Sequence, residues 1–226
     1  MTSAIVQFAT PVTLIGGGEL GVDDLETALT QAPDLIAVDG GASAALEAGY
    51  MPEAVIGDFD SISRSTRDRI PPARLFPIRE QDSTDFDKAL RSVSAPLVLA
   101  VGFLGERVDH QLAAFNVLVR YPERPCVLLG KREVIFHAPP RVDLALRPGD
   151  VVSLFPMRPV TGRSHGLEWP IDGLQFAPDA RVGTSNRALG PVRIETDGPG
   201  MLVLVPRAAL ERVIRALAPD AFPPAR

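Results

Sequence analysis

Between Gly57 and Lys88 the chain twice gathers carboxylates directly after a short apolar run. Ala54 to Ile56 leads into Asp58, Phe59, Asp60 and Ser61. Arg74 to Ile78 leads into Gln81, Asp82, Ser83, Thr84, Asp85, Phe86, Asp87 and Lys88. Both runs read as strands, and in an open α/β sheet ligands bind outside the carboxyl ends of the strands. Acids crowded there repel one another, so something positive must hold them together. A hydrated Mg2+ carrying phosphates fits, because it is a hard cation that prefers carboxylate and water oxygens. Alternation along an extended segment puts Asp58 and Asp60 on one side, with Phe59 turned inward. Helix capping by Asp60 or Ser61 near Ser63–Ile70 is the simpler account, but it leaves the pairing of the two acids unexplained.

The rest of the first half repeats this rhythm. Val12 to Ile15 reads as a strand followed by Gly16, Gly17 and Gly18, then a helix over Val22–Thr30. A Gly-rich turn lets backbone amides approach a phosphate, and a plain tight turn explains it equally well. Leu35 to Val38 ends in Asp39, Gly40, Gly41 and Ala42, where Asp39 serves either a site or a helix cap. Asp82 or Ser83 can cap a helix from Thr84 to about Val93. Asp85 and Asp87 then fall in its first turn, where the helix dipole favours them. Lys88, three residues after Asp85, can pair with it or reach a phosphate. Leu97 to Val101 precedes Gly102, Gly105, Arg107, Asp109 and His110, and a helix to about Arg120 follows. Asp109, Ala113 and Asn116 share one stripe of that helix. Asn116 lies among Phe115, Val117 and Leu118, where a buried amide would need partners. His110 is read as a helix-start or packing residue.

Strands alternating with helices imply βαβ units and a mainly parallel sheet. After Lys131 the pattern changes. Short runs at 134–136, 142–146, 151–155, 181–183, 192–196 and 201–205 are punctuated by Gly and Pro. That predicts antiparallel β structure, a sandwich or barrel. The expected fold is therefore an α/β N-terminal domain with a mainly parallel sheet, residues 1–137. An all-β sandwich-like C-terminal domain, residues 138–226, follows it. A short helix over 207–217 and a frayed Pro-rich end close the chain.

Charge and composition narrow the partners. A net charge of −5 with no basic run argues against nucleic acid. The single cysteine, Cys126, excludes an internal disulfide framework and a Cys-based zinc site. With no basic-then-apolar leader and no run of spanning length, a reducing cytoplasm is the expected setting and no membrane the expected partner.

Six short motifs in one order resemble those of the thiamine pyrophosphokinase family, nearly end to end. They are Asp39-Gly40-Gly41-Ala42, Gly57-Asp58-Phe59-Asp60-Ser61, Asp82-Ser83-Thr84-Asp85 with Lys88, and Gly105-Glu106-Arg107-Val108-Asp109-His110. The second half adds Gly166-Leu167-Glu168-Trp169-Pro170-Ile171 and Thr184-Ser185-Asn186. The resemblance implies a homodimer that moves the pyrophosphoryl group of ATP to thiamine, with Mg2+ as cofactor and a thiamine site shared between subunits. By similarity Asp58, Asp60, Asp85 and Asp109 hold the metal and ATP. Asp39, Gly40, Gly41, Gln81, Asp82, Thr84, Lys88, Arg107 and Asn116 join them in binding, as do Trp169, Ser185 and Asn186, the last two toward thiamine. Asn116 departs from the family pattern, in which many bacterial relatives carry the amide at the position of Ala114. Two rival readings stand beside this one. Asp58-Phe59-Asp60 also resembles the opening of an aspartate-nucleophile phosphatase, and a nucleotide- or thiamine-binding sensor without turnover is the non-enzymatic alternative.

Overall fold

The computed structural model describes residues 4–105 and 107–222. The chain divides into two compact units, one ending at Val117 and the next beginning at Leu118. The first holds β1 (Val6–Gln7), β2 (Val12–Ile15), α1 (Asp24–Gln31), β3 (Asp34–Val38), α2 (Gly41–Glu47), β4 (Ala54–Gly57), α3 (Arg64–Asp68), β5 (Leu75–Pro77), α4 (Asp85–Ser92), β6 (Val93–Ser94) and β7 (Val98–Val101). Helix α5 runs from Val108 to Arg120.

Strands β7, β2, β3, β4 and β5 lie side by side in that order, all parallel. Every residue of β2, β4 and β7 is buried. Continuous apolar strands are what a parallel sheet covered on both faces requires. The chain runs outward from β2 through β3 and β4 to β5, then returns to place β7 on the other side of β2. Such a reversal opens a crevice between the two loops at the carboxyl ends of the strands. Those loops are Gly16–Gly18 after β2 and Gly102–Gly105 after β7. They touch closely: Gly18 N donates to Gly102 O at 2.9 Å. Next to them α2 starts hard against β2. A Cβ on Gly41 would come within 2.1 Å of Ile15 O, so only glycine fits there.

Two local expectations change. Helix α4 is capped by Thr84, whose hydroxyl accepts from Asp87 N at 3.3 Å, and not by Asp82 or Ser83. Thr84 keeps the extended backbone that a cap needs, and Ser83 Oγ turns back to Glu80 at 2.5 Å. Phe59 is half-exposed with φ 69°, and the Arg67 guanidinium lies 5.5 Å from its ring centre. The segment is a bend, so strand alternation does not apply to it.

The second unit is antiparallel throughout. It contains β8 (Cys126–Leu129), β9 (Glu133–His137), β10 (Arg141–Leu144), β11 (Val151–Pro156), β12 (Val160–Leu167), β13 (Gln175–Phe176), β14 (Gly183–Thr196), β15 (Met201–Pro206) and α6 (Leu210–Leu217). The strands β8 and β9, which the sequence places before a boundary at 137, form a hairpin inside this unit. The order is β8-β9-β15-β11-β14-β12-β13, with β10 also on β14. The first part of β14 pairs with β11, and its last part pairs with both β10 and β12. One long strand thus serves two sheets, which makes the unit sandwich-like. Gly166 (φ 82°) sits at a register break between β12 and β14, where a Cβ would meet Pro191 O at 2.1 Å. Helix α6 buries Leu210, Val213 and Ile214 and ties Arg212 to Asp150 at 3.3 Å. Residues 223–226 of the Pro-rich end lie outside the described residues, as does Glu106.

Candidate active site

A cleft of about 730 Å³ opens at the strand-order reversal of the first unit. Its walls are the loop Gly16–Glu19, the β3 end at Val38–Gly40, Ser61, Thr84–Phe86 at the start of α4, and Gly102–Gly105. Asp39, after β3, and Asp85, at the start of α4, both line it, while Asp58 and Asp60 lie beside Asp39.

Asp39, Asp58 and Asp60 each offer an oxygen within 4.8 Å of the others. Asp39 adopts φ 44°, and Phe59 between the other two also has a positive φ; both turn the chain sharply at the strand ends. Asp39 is 4% exposed, and its Oδ1 has no hydrogen-bond partner. Burial pushes its pKa up, the nearby Ser61 hydroxyl draws it partly back, and the charges of Asp85, Asp58 and Asp60 raise it further. A buried, unpartnered carboxylate oxygen beside two more carboxylates is costly unless a cation joins them.

Lys88 supplies the counter-charge. Its side chain is 2% exposed, and Nζ donates to Asp58 Oδ2 at 2.8 Å and to Asp85 Oδ1 at 2.9 Å. Burial alone would lower its pKa, but the hydrogen bonds and charges of Asp58 and Asp85 outweigh that and hold it above its ordinary value. Asp58 is held below the usual carboxylate range, chiefly by the hydrogen bond from Lys88. Asp85 joins the three clustered acids through this lysine. Gln81 Nε2 also donates to Asp58 Oδ2, at 3.4 Å, whereas Asp82 is exposed.

Other expected members lie elsewhere. Asp109 forms an exposed ion pair with Arg107 at 2.6 Å, and it is Arg107, not Asp109, that lines the cleft. Asn116 is exposed on α5; its apolar neighbours in sequence face another way, and the cleft meets His110 and Ala114, one turn apart. His110 therefore lines the cleft although the sequence assigned it no chemistry. Phe103 was also missed. Its ring lies 4.4 Å, centre to centre, from that of Phe86, and both line the cleft. No spacing signal marks an aromatic that enters a site from a loop.

In the second unit, Trp169 is 54% exposed, so core packing does not account for it. Asn186 is 7% exposed and spends its amide on the Trp169 segment. Its Oδ1 accepts from Trp169 N at 3.1 Å and from Arg187 N at 2.8 Å, and Nδ2 donates to Trp169 O at 2.7 Å. Ser185 is exposed, has φ 63°, and donates its N–H to Ser153 Oγ at 3.0 Å.

Two family models match the chain: thiamin pyrophosphokinase, catalytic domain, over residues 25–128, and thiamin pyrophosphokinase, vitamin B1 binding domain, over residues 134–200. The chain belongs to the thiamine pyrophosphokinase family. Among similar curated proteins, thiamine pyrophosphokinase 1 of Arabidopsis thaliana is 29% identical over 61% of this chain and 58% of its own length. Thiamine pyrophosphokinase of Bacillus subtilis is 33% identical over 48% of this chain and 54% of its own. The matches thus span little more than half of those relatives. A solved thiamin pyrophosphokinase from Candida albicans shares the fold with a TM-score of 0.74 at 17% identity, covering 88% of this chain and 89% of that one. One from Bacillus subtilis does so at 0.70 and 24% identity, covering 87% and 98%.

The catalytic-domain match of this thiamine pyrophosphokinase family member contains Asp39, Asp58, Asp60 and Asp85, and the second match contains Trp169, Ser185 and Asn186. The role of Asn186 is testable. Asn186→Ala strands the N–H and C=O of Trp169, each worth about 1 kcal/mol or more where buried. Chemical denaturation should show a loss of roughly 2 kcal/mol, with the folded variant retaining its other strand pairings by circular dichroism.

Proposed function

We propose that the protein transfers the pyrophosphoryl group of ATP to the hydroxyethyl oxygen of thiamine, giving thiamine diphosphate and AMP. The observation that carries this reading is the buried carboxylate of Asp39, with its Oδ1 unpartnered, close to Asp58 and Asp60 at the strand-order reversal. That donor set is all oxygen and suits Mg2+. Asp39, Asp58 and Asp60 would hold it, with Asp85 beside them; when bound it neutralises phosphate charge. The chain's own residues do the rest. Backbone turns at Gly16–Gly18 and Gly102–Gly105 leave room for a triphosphate, and Arg107 adds positive charge at the rim. Lys88 fixes Asp58 and Asp85 in place before substrate arrives, so little reorganisation is needed during transfer. Asp58, with its lowered pKa, suits a metal ligand better than a proton acceptor.

Trp169 extends the reading to thiamine, because an exposed aromatic face attracts an organic cation such as the thiazolium ring. The working unit in this proposal is a cytoplasmic homodimer whose thiamine site is shared between subunits. The negative net charge supports small-molecule partners over nucleic acid, and among the described residues no helix is long and apolar enough to cross a membrane. Incubation with ATP, Mg2+ and thiamine, followed by chromatography, should show AMP appearing in step with thiamine diphosphate. ADP with thiamine monophosphate would overturn the reading, orthophosphate alone would favour the phosphatase, and binding without products would favour the sensor.

A further inference from the structure

We propose that Lys88 is a positioning residue that sets which divalent cation the acid cluster accepts, by occupying one oxygen of Asp58 and one of Asp85. The inference rests on the metal-binding reading above and adds to it a reason for a buried lysine among the acids. Lys88 comes from the second turn of α4, Asp58 follows β4 and Asp85 opens α4. Its ammonium thus ties the segment after β4 to the start of α4.

The geometry of each carboxylate is asymmetric. On Asp58, Oδ2 is taken by Lys88 at 2.8 Å and by Gln81 at 3.4 Å, while Oδ1 accepts a long bond from Asp60 N at 3.3 Å. On Asp85, Oδ1 is taken by Lys88 at 2.9 Å. Each acid therefore has one strongly engaged oxygen, so it meets a cation with the other alone. Asp39 brings one unpartnered oxygen of its own. A ring of single oxygens favours a small octahedral cation that keeps several waters. A larger cation takes six to eight ligands and gains from carboxylates that bind through both oxygens. By blocking the second oxygen, Lys88 withholds that gain from Ca2+.

Burial makes the block persistent. The lysine side chain is only 2% exposed, and its ammonium is held by two carboxylate partners. A surface lysine would swing away at little cost, whereas breaking a buried pair is expensive. A lysine kept only for folding stability would leave cation preference untouched.

The test titrates the full chain, without nucleotide, with Mg2+ alone and with Ca2+ alone, followed by calorimetry and by the shift in melting temperature. Lys88→Met removes the charge at similar volume, and Lys88→Gln serves if Lys88→Met does not fold. Loss of a positive charge strengthens binding of both cations, so the ratio decides. The Ca2+-to-Mg2+ affinity ratio should rise by about tenfold in the variant, because freed second oxygens help Ca2+ selectively. An unchanged ratio, with both cations bound by the unaltered protein and by the variant, overturns the role of Lys88 and leaves the metal site standing. Failure of the unaltered protein to bind either cation, under conditions where it is folded, overturns the metal reading and this inference together. A lowered melting temperature with an unchanged ratio assigns Lys88 to stability and overturns the inference.

Discussion

Asp58→Asn and Asp85→Asn should each lower pyrophosphoryl transfer by on the order of 10²–10³-fold, and the double variant should be little slower than either. Groups that act as one unit lose function once, not twice. Stability should behave in the opposite way. Each single change leaves Lys88 with one carboxylate partner, and the new amide still offers an oxygen, so the cost should stay near 1–2 kcal/mol. The double change leaves the 2%-exposed ammonium with no anionic partner among Asp58 and Asp85. Stranding a buried charge costs about 3–5 kcal/mol, so the double variant should be destabilised by more than the sum of the singles. The sequence alone suggests that removing one of several like charges relieves repulsion and costs nothing. The buried lysine reverses that expectation. Steady-state rates and urea midpoints on the four proteins check both couplings. Additive losses of rate would separate the two acids into independent roles.

The acidic half of the site was legible because its residues are ordered by strand ends. Wherever an apolar run meets Asp, Gly or Ser, the chain leaves the sheet at the same edge. Asp39, Asp58 and Asp85 therefore converge without any knowledge of side-chain geometry. The strands themselves were readable for the same reason: Val12–Ile15 and Cys126–Leu129 match their observed bounds. What could not be read was burial within the cluster. The sequence pairs Lys88 with Asp85 or a phosphate, but not with Asp58, thirty residues away, onto which α4 turns it. The orientation of Asp109 and Asn116 was open for a related reason. A helical stripe gives relative angles but not which way the stripe faces, and Asp109 and Asn116 are exposed on α5. In the second unit, β12 and most of β14 escaped notice. Gly162 reads as turn punctuation although it lies paired within β12, and Gly166 meets Pro191 at a register break inside two long strands.

Mixing two inactive variants should restore activity if the thiamine site is shared between subunits. The cleft of the first unit is lined, among the described residues, by positions up to Ala114, and none of Trp169, Ser185 or Asn186 is among them. Trp169 is nevertheless 54% exposed while Asn186 pins its backbone on both sides. A fixed, exposed aromatic is what a binding surface needs and what a folding core does not. The acid-side variant is best made as Asp60→Asn, because Asp60 is exposed and leaves the pairs of Lys88 intact. The aromatic-side variant is Trp169→Ala with Ser185→Ala, which spares the buried amide of Asn186. After exchange, a mixed dimer with shared sites carries one site with both defects and one with neither. Statistical mixing of equal amounts makes about half the dimers mixed, each with one intact site, so activity should approach about a quarter of the unaltered level. If each chain builds its whole site alone, every site keeps a defect. Activity that stays at the level of the parents, once subunit exchange has been verified by mass, would remove the shared site from the proposal while leaving the acid cluster and its chemistry in place.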